Sequence, residues 1–264
     1  MEYIALGCMS GTSLDGIDCS LVKSDGDSYV TDISNEFIPY SDGLQLKLRN
    51  VILKGYLDDI KVINQLNQEY KDSINNFIKK NNLEIDLIAM HGQTVYHDQK
   101  TKISIQLFDK SIRFNTNSPV ICNFRKNDLL NGGNGAPIMP EFHRVLANQL
   151  DLKKVNFVNI GGVTNITVID NQKITAGDSS FGNAIVNDLI YEKTKERFDV
   201  DGSLSNNGQK IDVLFKRIIS DKYFLEKLPT SLDRTYFHNY IDNSIKDKNL
   251  NDLIKVFKKL DKDK

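Results

Sequence analysis

Apolar and polar residues alternate along the first forty positions of the chain. Tyr3–Cys8, Ile17–Lys23 and Tyr29–Tyr40 each read as a strand. The turn formers between Met9 and Gly16 close the first two into a tight hairpin, so an antiparallel meander is predicted. The period then changes. Ile60, Ile63, Leu66, Tyr70, Ile74, Phe77 and Ile78 fall on one stripe of a helix running from Asp58 to Lys80. Two short apolar runs, Ile85–Met90 and Pro119–Asn123, read as buried parallel strands with a helix between them.

The cluster Asn131–Pro137, made of Gly, Asn, Ala and Pro, breaks this pattern. It marks a domain boundary or a functional loop and divides the chain into 1–135 and 136–264. After a helix at Met139–Gln149 the strand signal restarts at Val155–Ile160, turns at Gly161-Gly162, and returns through Thr164–Asp170 and Lys173–Ala176. This second meander matches the first in kind, as an internal duplication would. Helices are predicted over Gly182–Arg197 and Asn206–Ser220. The segment Asp242–Lys264 carries a thin apolar stripe (Leu250, Leu253, Ile254, Phe257, Leu260) and reads as an amphipathic helix with little to pack on. The fold class is α/β.

Composition narrows the function classes. The 264 residues are 40% hydrophobic, and 34 Lys+Arg balance 35 Asp+Glu for a net charge of −1. Nothing here favours nucleic acid or an anionic membrane as partner. The opening MEYIALGCMS has Glu2, no basic residue and a short apolar run, so neither a leader nor an anchor is expected. Three cysteines without CxxC spacing argue against a disulfide framework or a zinc site and suit a reducing cytoplasm.

No Gly-Lys pair, GxGxxG, GxSxG or HExxH occurs, which removes the Walker loop, the usual dinucleotide fingerprint, the serine-hydrolase elbow and the zincins. What stands out is a set of glycine- and hydroxyl-rich turns at strand ends. In Gly11-Thr12-Ser13-Leu14-Asp15-Gly16-Ile17-Asp18 a tight hairpin can aim backbone N–H groups and hydroxyls at phosphate oxygens. Asp15 and Asp18 can offer hard oxygen ligands to the Mg²⁺ that accompanies a nucleotide. The plainer reading is a hairpin whose Ser, Thr and Asp satisfy their own turn. Gly161, Gly162, Thr164 and Asn165 occupy the equivalent place in the second half. Asp178 lies between a strand and a helix, where it can act as general base or simply cap the helix. His91, Gln93 and Thr94, like Arg125, follow the parallel strands and so lie near one cleft. Arg125 suits a substrate carboxylate.

Together these segments are far more specific than any one alone. MSGTSLDGID, HGQTVYH, NFRKNDLLNGGNGAPIMPEFH, NIGGVTNIT, GDSSFGN, RFDVDG and LPTSLDRTYF occur in this order. The chain resembles the anhydro-N-acetylmuramic acid kinase family from about Ile4 to Phe237. That resemblance implies the two-domain actin/Hsp70/sugar-kinase-like (ribonuclease H-like) fold, with ATP and sugar in the interdomain cleft. It implies hydrolysis of the 1,6-anhydro bond of 1,6-anhydro-N-acetylmuramic acid and phosphorylation of O6, with ATP and Mg²⁺ required. Asp178 matches the catalytic base, and Gly11 to Asp18 the nucleotide-phosphate hairpin. His91, Gln93, Thr94, Arg125, Gly135 and Asn183 are the candidates for contact with the sugar. A homodimer is also implied.

Three departures from the family pattern carry expectations of their own. Ser180-Phe181 stands where the family has Gly-Pro, and its bulk is expected to crowd the sugar. Asn123 replaces an Asp. The sequence ends near where the family's adenosine-holding segment begins, so an incomplete second domain is expected. The alternatives to an active kinase are a protein that only binds the anhydro-sugar and a gene product that has lost its function.

Overall fold

Val22, Leu21 and their neighbours alternate sides of a strand because every second residue must reach the core, and the meander forms as the sequence predicts. β1 (Tyr3–Ser10), β2 (Gly16–Ser24) and β3 (Val30–Pro39) are antiparallel neighbours, with Cys8 directly opposite Cys19. The structure, a computed structural model, describes all residues except 12, 55–58, 99–100, 233–235, 242–247 and 263–264, and the side chains of 53–54 and 259–262 are also not described. The chain folds as two compact units, Met1–Lys153 and Lys154–Lys264.

In the first unit β4 (Leu87–Asp98) lies parallel to β1 and extends the order to β3-β2-β1-β4. Its first half pairs in parallel with β6 (Val120–Ile121), its second half antiparallel with β5 (Ile103–Leu107). β4 therefore runs on through the HGQTVYH motif, where a loop was expected after Met90. A strand, not a helix, occupies the stretch between the two parallel strands. α1 (Asp42–Lys54) and α2 (Ile60–Asn81) follow the meander. Asp59 caps α2 by accepting the N–H groups of Lys61 and Val62. Leu66, Tyr70, Ile74 and Phe77 are buried as predicted, but Ile60 is 69% exposed and Val62 takes its place in the core. Each fully buried apolar side chain of this kind contributes about 1.5–3 kcal/mol relative to exposure.

The glycine cluster does not divide the two units. α3 (Phe124–Leu130) precedes it and α4 (Pro140–Gln149) follows it within the first unit. The cause is visible at the end of α4. Gln149 Oε1 accepts the Val30 N–H at 3.0 Å and its Nε2 donates to the Val30 carbonyl at 2.9 Å, stitching α4 to β3.

The second unit repeats the opening meander with β7 (Lys154–Ile160), β8 (Val163–Asp170) and β9 (Lys173–Phe181) in antiparallel order. Helices α5 (Asn183–Thr194), α6 (Ser203–Asn206), α7 (Asp212–Ile219) and α8 (Leu250–Lys262) follow. β1 is covered on its outer edge by β4. β7 pairs with no further strand among the described residues, and Val158 and Ile160 are exposed.

α8 corrects the expectation of an unpacked tail. Leu253, Ile254, Val256 and Phe257 are fully buried and share a core with Phe181, Ile185, Leu189, Leu214, Ile218 and Phe237. Lys258 Nζ reaches the buried Asp199 carboxylate at 2.6 Å, which ties α8 to the RFDVDG motif. Burial alone would raise the Asp199 pKa. The Lys258 ammonium and the N–H groups of Leu204 and Ser205 outweigh it and hold the carboxyl at about 2.

Candidate functional site

The β1–β2 turn is built from inside. Leu14 sits in the left-handed region at φ 60°, with its N–H on the Gly11 carbonyl and its side chain buried in the core. An apolar residue held there costs about 1–2 kcal/mol and persists only where its surroundings over-determine it. Gly16 is glycine because a Cβ would lie 2.3 Å from the Ile38 carbonyl oxygen of β3. Ile17 is buried beside it. Leu14, Gly16 and Ile17, expected to touch nucleotide, thus shape the turn. Ser13, Asp15 and Asp18 are exposed, and a Cβ on Gly11 would meet nothing closer than 3.6 Å. Thr12 lies outside the described residues. Ser13 Oγ donates to Asp15 Oδ1 at 2.6 Å, so the self-satisfied reading holds for that pair.

Partial desolvation by the turn around it raises the Asp18 pKa although the residue is exposed, and the neighbouring Asp15 charge adds to it. Two carboxylates that repel one another are a place where a divalent cation relieves strain. Among the described residues no cluster of three or more His, Cys, Asp or Glu side chains could cage a metal. A Mg²⁺ held by Asp15 and Asp18 would take its remaining oxygens from phosphates and water, which is this ion's usual habit.

His91, Gln93 and Thr94 belong to β4 and are buried. Gln93 Nε2 donates to the Gly11 carbonyl at 2.8 Å, joining the HGQT motif to the turn. His91 Nε2 accepts from Arg125 Nε at 2.9 Å, and its Nδ1 lies 2.7 Å from the Gly92 carbonyl. This fixes the tautomer: Nδ1 carries the proton. Burial first, and then the Arg125 charge, push the His91 pKa down to about 4. The imidazole is neutral and positions the arginine. Arg125 Nη1 donates to the Gly135 carbonyl at 2.8 Å, and the Gly135 N–H donates to Asp128 Oδ2 at 2.7 Å. Gly135 has φ +70° and a Cβ there would crowd Leu129 and His97. The glycine cluster is thus a clamp around Arg125 and Asp128. Its outer side borders an open groove of about 780 Å³ lined by Cys122, Phe124, Asn127, Pro137 and Glu141.

In the second unit the Gly161-Gly162 turn serves α5. Asn183 N–H donates to the Gly161 carbonyl at 2.7 Å, and the N–H groups of Gly182 and Ala184 donate to the Gly162 carbonyl at 3.2 Å. Gly182 admits no Cβ, which would lie 2.1 Å from the Gly161 carbonyl oxygen. Thr164 is buried, and its hydroxyl donates to the Phe181 carbonyl at 3.0 Å. The Gly161 and Gly162 carbonyls and the Thr164 hydroxyl are committed to this packing. Asn165 stands opposite Asp178 in the β8–β9 register, beside a bulge.

Asp178 lies within β9, not between strand and helix as the sequence suggested, and so it is no helix cap. The segment after Leu228 runs alongside it. Asp178 N–H donates to the Thr230 carbonyl at 2.9 Å, and Asp178 Oδ2 accepts the Leu232 N–H at 2.8 Å. The Asp178 carbonyl accepts the hydroxyls of Tyr223, at 2.6 Å, and Thr230. Gly177 permits this approach, since a Cβ would sit 2.6 Å from Thr230 N. Thr230 and Leu232 lie in the LPTSLDRTYF motif but carry no further signal as site residues, and Tyr223, which precedes the motif, has none. Phe181 does not crowd the site. Its ring is buried in edge-to-face contact with Phe237 at 4.9 Å and Phe257 at 5.4 Å.

The sequence profile of the anhydro-N-acetylmuramic acid kinases matches residues 2–260. The chain belongs to this family. An anhydro-N-acetylmuramic acid kinase from Pelagibacter ubique (strain HTCC1062) is 36% identical over 83% of the chain and 62% of its own length. One from Rhodopseudomonas palustris (strain ATCC BAA-98 / CGA009) is 31% identical over 90% of the chain and 69% of its own length. The chain thus spans under two thirds of the first relative and little more of the second. Among solved structures, the ethanolamine utilization protein EutJ from Carboxydothermus hydrogenoformans aligns over 78% of the chain and 62% of its own, at 16% identity and a TM-score of 0.30. That likeness is too distant to add to the fold seen directly. No helix among the described residues is long and apolar enough to cross a membrane.

Proposed function

We propose that the protein is an ATP-dependent kinase of 1,6-anhydro-N-acetylmuramic acid, yielding N-acetylmuramic acid 6-phosphate and ADP. The observation that carries this reading is the hold on Asp178. Its carboxylate is oriented by a backbone N–H, and its own backbone is clamped by Tyr223 and Thr230. A base so placed is preorganised for one proton transfer.

In the reaction, Asp178 takes a proton from water as the water oxygen bonds to the anomeric carbon, on the face opposite the departing O6. The bond between that carbon and O6 breaks, and O6 bonds to the γ-phosphorus as ADP leaves. Phosphoryl transfer to O6 replaces the general acid that a glycosidase needs, so one carboxylate suffices. Gly11, Ser13, Asp15 and Asp18 serve the nucleotide phosphates, and Asp15 and Asp18 would hold Mg²⁺. When bound, that ion neutralises phosphate charge. Arg125, fixed by His91 and Gly135, serves the lactyl carboxylate of the sugar, with Asn183, the first residue of α5, as a further sugar contact. The reading carries with it a cytoplasmic location and the homodimer that the family resemblance implies.

The test is ADP release from the purified chain given the anhydro-sugar, ATP and Mg²⁺. Sugar-dependent ADP release supports the reading. Thermal stabilisation by the sugar without ADP release would identify a binding protein instead.

A further inference from the structure

Gln93 was expected among the sugar contacts, yet it is fully buried in the first unit and both ends of its amide are engaged. Its Nε2 donates to the Gly11 carbonyl at 2.8 Å and approaches the Thr94 carbonyl at 3.2 Å. Its Oε1 accepts the Tyr40 hydroxyl at 3.2 Å. The Tyr40 hydroxyl also lies 3.2 Å from that of Tyr70, and Tyr70 donates to Ser10 Oγ at 3.1 Å. Ser10, Tyr40, Tyr70 and Gln93 are all buried. Reversing the amide would set its oxygen against the Gly11 carbonyl, so the network admits one orientation.

We propose that Gln93 is a positioning residue for the nucleotide-phosphate turn, holding Gly11 in place with Tyr40, Tyr70 and Ser10 as its anchor. This rests on the turn's assignment to nucleotide given above. Three elements supply the network that ends on this carbonyl: β4 brings Gln93, which bonds it, the end of β3 leads into Tyr40, which bonds Gln93, and α2 brings Tyr70, which lies against Tyr40. The backbone of Tyr40 grips the same turn from its other end, donating to the Asp15 carbonyl at 2.9 Å. Gly11 and Asp15, which bracket the turn, are thus tied to a single buried cluster. A fully satisfied buried network of this kind rigidifies what it holds. Burial raises the Tyr40 pKa to about 12 and that of Tyr70 well above the ordinary range, so both stay protonated and able to donate. No polar atom of Gln93 is left to reach a sugar.

Gln93→Glu keeps the shape and removes the donor to Gly11. Tyr40→Phe leaves Gln93 in place and loosens its anchor, which keeps the test open if the first variant folds poorly. Hydrogen exchange is measured on the unliganded full chain, and steady-state kinetics with each substrate varied in turn. The expected result is exchange about tenfold or more faster at Ser13–Asp15 in Gln93→Glu, with α2 unchanged. The KM for ATP should rise about tenfold while the KM for the sugar stays within about twofold, and Tyr40→Phe should follow in the same direction with smaller effects. Unchanged exchange at the turn would overturn the proposal, as would a raised sugar KM beside an unchanged ATP KM. If the wild-type chain turns over no ATP, the exchange result still decides the role of Gln93 as a brace, and only the assignment of the turn to nucleotide fails.

Discussion

Arg125 Nε donates to His91 Nε2 across 2.9 Å, so the imidazole is an acceptor on that side and the guanidinium is held in one direction. With its Nε2 lone pair on Arg125 and its Nδ1 proton on the Gly92 carbonyl, the His91 ring has both nitrogens engaged. It aims the arginine.

A pH dependence follows from that pair. His91 titrates near 6.5 in the unfolded chain and at about 4 in the folded one, because of burial and then the Arg125 charge. Between those values the unfolded chain holds the extra proton. The stability from keeping His91 neutral is therefore complete above the unfolded value and lost as pH falls toward the folded one, roughly 3 kcal/mol over the whole shift. His91→Gln retains an acceptor for Arg125 but cannot titrate. Thermal melts between about pH 7 and about pH 4.5 should show a steeper loss for the wild-type chain than for the variant. Parallel losses would contradict this.

Asp178→Asn keeps the size of the side chain and an acceptor for the Leu232 N–H, but removes the base. Its kcat should fall by about 10²–10⁴-fold while calorimetry still detects the sugar. Substantial turnover in this variant would remove Asp178 from the role of base.

Tyr223 donates its hydroxyl to the Asp178 backbone carbonyl, so Tyr223→Phe should act on placement and not on binding. A stability loss of about 1 kcal/mol is expected in denaturant titrations, since the Thr230 hydroxyl still satisfies that carbonyl. In kinetics, kcat should drop several-fold with the sugar KM unchanged. A raised KM at constant kcat would point instead to direct substrate contact.

Phe257 joins α8 to β9 through Phe181. Phe257→Ala should destabilise the second unit by about 3–5 kcal/mol, read as earlier loss of α8 protection in hydrogen exchange. Retention of wild-type protection would mean that α8 contributes little to this core.

The elements legible in the sequence were those with one wet face. The meander strands alternate, and α2 repeats its apolar positions with helical period, so both were readable near their true limits. β4 was cut short because His91, Gly92, Gln93 and Thr94 are buried polar or small residues, and burial of polar groups leaves no apolar pattern. The strand Ile103–Leu107 does alternate, but a short antiparallel return was hidden by the assumption of parallel strands joined by a helix. α8 looked unpacked because its partners, Phe181 and Phe237, are distant in sequence. At the site, the motifs drew attention to residues without showing their neighbours. Gln93 and Thr164 are polar residues in ligand-like motifs whose hydrogen bonds go to the fold itself. Only pairing information, such as Gly11 with Gln93 or Asp178 with Leu232, separates the two uses.

In the proposed reaction one carboxylate, Asp178, couples opening of the anhydro ring to phosphorylation of O6. Turnover of the anhydro-sugar with ATP and Mg²⁺ in ¹⁸O-labelled water, read by mass spectrometry and NMR, tests it most directly. The expected product is a 6-phosphosugar with one solvent oxygen at the anomeric carbon and one ADP per sugar opened. Ring opening without ADP, or ADP with the sugar's anhydro bond intact, would contradict it.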